Sequence, residues 1–152
     1  MLALRQIMAV VSICLAVLFG CNKPTDPSLA PVSGTITLGD QPLGNATVTF
    51  IPKDGTRGFG GVGRTDAAGK YILRGSRDDA PGIPPGKYRV VISKRLMPDG
   101  SDVSAADRTP PMASPARESL PEIYSSMTMT KLDAEVPAGG RIIDFAFPAG
   151  KK

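Results

Sequence analysis

The sequence predicts an all-β fold, and three observations carry that prediction. Apolar and polar residues alternate at period two in short runs, turn residues punctuate the runs, and no stretch holds a long helical period. The punctuation comes from 15 Pro and 17 Gly among 152 residues. About seven strands fit between Pro31 and Pro148, a length that suits one core, so a single seven-stranded antiparallel β-sandwich is expected over residues 32–148.

The first strand places Val32, Gly34, Ile36 and Leu38 on one face and Ser33, Thr35 and Thr37 on the other, before a turn at Gly39-Asp40-Gln41-Pro42. In the second, Ala46, Val48 and Phe50 point inward and Thr47 and Thr49 outward, ending at Pro52. A glycine-rich loop over residues 53–61 leads to a short strand at 62–65. Asp66-Ala67-Ala68-Gly69 should then close a hairpin into a strand at 70–74, because Asp can bond backbone amides and Gly accepts positive φ. Residues 75–86 carry Pro81, Pro84 and Pro85 and read as a loop. The strongest strand follows at 87–94, with Tyr88, Val90 and Ile92 on one face. Five prolines in residues 95–121 argue against a helix or central strand, and loops of that length are functional or disordered. Closing strands are expected at 131–136 and 141–147, joined by the turn Pro137-Ala138-Gly139-Gly140.

Ahead of this domain stands a targeting segment. Arg5 precedes an apolar run from Ile7 to Phe19, and Leu18-Phe19-Gly20-Cys21 resembles the lipobox of bacterial lipoproteins. A spanning helix fits less well, since it needs about 20 apolar residues and Gly20-Cys21-Asn22-Lys23-Pro24 arrives too early. The resemblance implies cleavage after residue 20 and acylation of Cys21, and several acyl chains anchor a protein stably. Residues 21–31, with Pro24, Pro27 and Pro31, form an extended tether, and residues 149–152 form a basic tail. The cleaved chain keeps every cysteine but Cys14 and loses one base, Arg5, from 18 basic and 14 acidic residues, leaving +3. That balance is too mild to indicate nucleic acid. With Cys21 acylated there is no thiol for a disulfide, a metal or nucleophilic catalysis.

Four motifs in order, Val32-Ser-Gly-Thr-Ile-Thr-Leu, Gln41-Pro-Leu-Gly-Asn-Ala-Thr-Val-Thr-Phe, Thr65-Asp-Ala-Ala-Gly-Lys-Tyr and Pro85-Gly-Lys-Tyr-Arg-Val-Val-Ile, resemble the carboxypeptidase regulatory-like domains. That resemblance implies a transthyretin-like (prealbumin-like, Ig-like) sandwich and an accessory domain that binds, spaces or stabilises. Residues 120–124 and 142–147 resemble the ending of small bacterial lipoproteins built on it. Activity does not follow from such a fold. The related transthyretin-type hydrolases depend on histidines and a C-terminal Tyr-Arg-Gly-Ser, and this chain has neither.

With no histidine, the chain lacks the usual base of a serine triad and the commonest zinc ligand, so no catalytic or metal residue and no cofactor is expected. Candidate ligand or partner loops remain. Arg77-Asp78-Asp79 is the densest acidic site and could be an oxygen-rich calcium loop, although a solvated turn is the simpler reading. Arg77 or Arg95 could meet a small anion. Tyr124, beside the long loop, is the one aromatic considered for a ligand, with packing as its alternative. The basic residues Lys87, Arg89, Lys94 and Arg95 scatter over strand faces. The expectation is therefore a non-enzymatic binding or structural module. It would sit in the cell envelope on the periplasmic or exterior side, held to membrane by lipid and facing an envelope protein or polymer. The alternative is an envelope enzyme or calcium-dependent binder using loop carboxylates.

Overall fold

A computed structural model describes residues 29–148 apart from 105 and 108. The signal segment, Cys21, most of the tether and the tail at 149–152 lie outside the described residues. The fold is all-β, a sandwich of two five-stranded sheets with a two-stranded ribbon beside them. Among the described residues no helix is long and apolar enough to cross a membrane.

One sheet grows from its two best-alternating segments. Strands β3 (Thr47–Lys53) and β7 (Gly86–Ser93) pair antiparallel without interruption, from Thr47↔Ser93 to Lys53↔Lys87. Val48 and Phe50 from β3 and Tyr88, Val90 and Ile92 from β7 are buried, as their spacing predicts. Strand β10 (Asp133–Val136) pairs with β7, while β4 (Gly61–Arg64) and then β6 (Arg74–Gly75) extend the other side.

The second sheet is built around β1 (Val32–Leu38), which buries Val32, Gly34 and Ile36. Strands β2 (Gln41–Pro42) and β5 (Lys70–Ile72) pair antiparallel on one side. On the other, β11 (Arg141–Ile142) and β12 (Phe145–Phe147) run parallel to β1, which corrects the purely antiparallel expectation. The cause is the preceding turn. Residues 137–140 carry the chain from β10 across to the second sheet at the end where β1 begins, with Arg141 N–H donating to Pro31 O at 3.0 Å, so both strands start together.

The expected hairpin at Asp66 is likewise a crossing. The Asp66 carboxylate accepts Ala68 N–H at 2.8 Å and Lys70 N–H at 2.9 Å, and Gly69 has φ +73, as the turn reading requires. Strands β4 and β5 nevertheless belong to different sheets. Leu73, fully buried, donates its N–H to Val32 O at 2.9 Å, and residues 74–75 return to the first sheet. The seven expected strand regions are all present, those at 70–75 and 141–147 each broken in two, and short strands at 41–42, 95–96 and 117–118 are additional.

The second break has a definite chemistry. Between β11 and β12, Ile143 N–H still donates to Ser33 O at 2.8 Å, but the Ile143 carbonyl turns over Gly34 to accept the Tyr71 hydroxyl at 2.6 Å. Thr35 N–H is left to the Asp144 carboxylate at 2.7 Å. A Cβ at residue 34 would overlap the Ile143 oxygen, so the close approach requires glycine. Burial first, and the Asp144 carboxylate second, push the Tyr71 phenol well above its ordinary 10.0.

Buried residues also lie outside the expected strands. Ala30, assigned to the tether, is fully buried and forms a two-way bridge with Ile83, which is equally buried inside the proline-rich loop. The folded domain thus begins by residue 30. Short elements complete the chain: the ribbon of β8 (Arg95–Leu96) with β9 (Arg117–Glu118), and the single-turn helix α1 (Glu122–Ser125).

Candidate functional site

The sandwich has two chemically different ends. Strands β1 and β7 both leave the end where Ala30 meets Ile83, because Val32 opens β1 and Gly86 opens β7. At about 3.3 Å per residue, β1 spans roughly 20 Å to the opposite end. There Ser93 leads directly into residues 95–119.

That long connection is fastened at several of its described residues. Asp102 accepts Asn45 Nδ2 at 2.7 Å and lies 3.2 Å from Lys94 Nζ, and these two partners hold its carboxyl below the ordinary carboxylate value. Arg64 donates to Val103 O at 2.7 Å. The Glu118 carboxylate accepts Ser93 Oγ at 2.6 Å and the N–H groups of Lys94, Ser119 and Leu120 at 3.0, 3.0 and 2.9 Å. Ala116 and Leu120 are buried under it, while Met112 stands fully exposed at 101%. Asp102 and Glu118 were not singled out from sequence. Their signal was an Asp and a Glu bracketing a proline-rich loop, which is too common to rank.

The residues that were singled out do not converge. Asp78 accepts Ala80 N–H at 3.1 Å, Asp79 sits at φ +54 and pairs with Arg74 Nε at 2.6 Å, and both belong to the exposed turn after β6. Arg77 stacks on Phe59, its guanidinium carbon 4.3 Å from the ring centroid. Arg95 lies at the other end, donating to the carbonyls of Pro111 and Ala116. Tyr124 is half-buried against Phe147, with ring centroids 4.1 Å apart, so its role is packing. Tyr71 and Tyr88 are core residues, as expected.

Most other carboxylates are likewise committed to structure. Asp66 and Asp144 hold backbone amides, Asp133 pairs with Lys53 at 2.9 Å, and Asp99 and Asp107 cap their own turns at Ser101 and Thr109. Among the described residues no group of three or more His, Cys, Asp or Glu side chains is placed to hold a metal ion.

Among the described residues, two open grooves stand out by volume. One of about 660 Å³ lies on the outer face of β1, where Ser33 sits between exposed Ile72 and Ile142. The other, about 690 Å³, lies between residues 54–58 and 84–87 near the Ala30 end. Beside it Phe59 is 64% exposed, an aromatic that sequence reasoning passed over. Its signal was legible: Arg57-Gly-Phe-Gly-Gly puts a ring among glycines, where no alternating strand face can bury it.

No family model and no curated protein matches this chain. Among solved structures, it is similar to a 9R-lipoxygenase from Cyanothece at 18% identity and a TM-score of 0.34. The alignment covers 80% of this chain and 16% of that one, and a score so low supports no inference of fold or activity. What the geometry defines is an all-β sandwich with a long connection hydrogen-bonded to it at one end.

Proposed function

We propose that this chain is a lipid-tethered β-sandwich that displays residues 95–119 to a partner in the cell envelope and performs no chemistry of its own. One observation carries the proposal: the chain enters the domain at Ala30, and the fastened loop occupies the far end of β1 and β7. A tether at residues 21–29 would then hold the loop outward, away from the membrane. The lipobox-like Leu18-Phe19-Gly20-Cys21 supports anchoring, and the motif resemblance to carboxypeptidase regulatory-like domains supports an accessory role. The committed carboxylates and the missing histidine support a binding surface over an enzyme or a calcium site.

The test is photo-crosslinking in intact envelopes, with a benzophenone amino acid at Met112 or at Ile72 on the outer sheet face. A specific adduct from position 112, lost when a Cys21→Ser variant leaves the membrane, is expected. Adducts from position 72 alone would overturn the loop as the partner surface.

A further inference from the structure

We infer that the Phe59 end of the sandwich rests on the bilayer surface, with Phe59 entering the boundary between headgroups and acyl chains. This inference deepens the tethered reading and rests on it.

Position comes first. Phe59 lies two residues before Gly61, which packs against the Ile83 side chain, and Ile83 is the bridge partner of Ala30, where the chain enters. Ser76 Oγ donates to Phe59 O at 2.8 Å, and Ser76 N–H donates to Gly60 O at 3.2 Å, so the loops at 54–60 and 76–85 are joined around that point. The exposed ring is thus on the same end as the lipid attachment.

Length comes second. Nine residue steps separate Cys21 from Ala30, and at about 3.1 Å per step, the rise of the polyproline conformation, such a tether reaches roughly 28 Å. A domain on so short a leash sees the surface at an effective concentration on the order of millimolar. One aromatic contact, too weak to recruit a free protein, is then enough to set orientation.

Chemistry comes third. An exposed ring carrying a guanidinium over its face suits an interface, because the ring partitions toward the acyl chains while the cation stays with phosphate. Arg57, two residues away, adds a second cation, and both arginines are exposed. Asp54 and Asp78 stand on the same end and largely offset this charge, so the ring and not net charge makes the contact.

The chain has no tryptophan, so Phe59→Trp and Met112→Trp each create a single fluorescent reporter. The full acylated protein is reconstituted in phosphatidylethanolamine and phosphatidylglycerol vesicles, with or without lipids brominated at shallow acyl positions. Blue-shifted emission from position 59, quenched several-fold more than from position 112, is expected. Solvent-like, unquenched emission at position 59 in protein that floats with the vesicles overturns the contact and leaves the anchor intact. Protein that does not float overturns the anchored reading and this inference with it. Equal quenching at both positions overturns the assigned polarity.

Discussion

Removing the Tyr71 hydroxyl tests the break in the parallel ladder. In Tyr71→Phe the ring keeps its packing, but the part-buried Ile143 carbonyl loses the donor it holds at 2.6 Å. Leaving a buried polar group unpaired costs about 1–3 kcal/mol. A loss near 2 kcal/mol lowers Tm by roughly 8 °C, at about 4 °C per kcal/mol for a domain of this size. Gly34→Ala should cost more, because its methyl overlaps the same carbonyl oxygen and the strands must separate. Asp144→Ala should cost less, since the freed Thr35 N–H has an exposed carboxylate as its partner and water can replace it. Urea unfolding of the three variants measures this order. The Gly34→Ala/Tyr71→Phe double variant should be sub-additive, because both changes act through one carbonyl. Tyr71→Phe within about 0.5 kcal/mol of the parent, or fully additive costs, would refute the reasoning.

Other outcomes follow from the same geometry. Thr65→Val removes a buried hydroxyl that accepts Ala46 N–H at 2.8 Å and donates to Leu43 O at 2.7 Å; a cost of about 2–4 kcal/mol is expected by urea unfolding. The buried Tyr71 phenol keeps its proton in the fold above pH 10, where the unfolded chain loses it. Stability is therefore complete below about pH 10 and falls as pH rises beyond it, and Tyr71→Phe flattens that fall in pH-dependent melts. Asp102→Ala should speed proteolysis within residues 95–119 far more than it lowers global stability, as limited digestion and melting would show. Calcium is expected to leave Tm unchanged, and stabilisation by calcium would restore the metal-dependent alternative.

Much of the fold is legible because alternation is a local signal. Val48 and Phe50 on β3, and Tyr88, Val90 and Ile92 on β7, declare their inner face by spacing alone. Pairing is not local. Nothing in Asp66-Ala67-Ala68-Gly69 distinguishes a turn that folds a strand back on its neighbour from one that crosses to the opposite sheet, and the turn at 137–140 hides the parallel partners of β1 in the same way. Ile83 escapes because it is a lone apolar residue among prolines and glycines, and Ala30 because it lies in a proline-punctuated stretch, between Leu29 and Pro31, with no period to read. The candidate site divides similarly. The turn chemistry of Asp78 and Asp79 is written in their neighbours, whereas the clasp of Asp102 on Asn45 joins residues 57 positions apart.

The account depends on lipid at one end of the sandwich. The most direct measurement is the intact mass of the protein extracted from membranes. A chain beginning at Cys21 and carrying acyl adducts on that residue is the predicted result. A chain with an unmodified Cys21, or one that retains residues 1–20, would contradict the tethered display on which the proposed function stands.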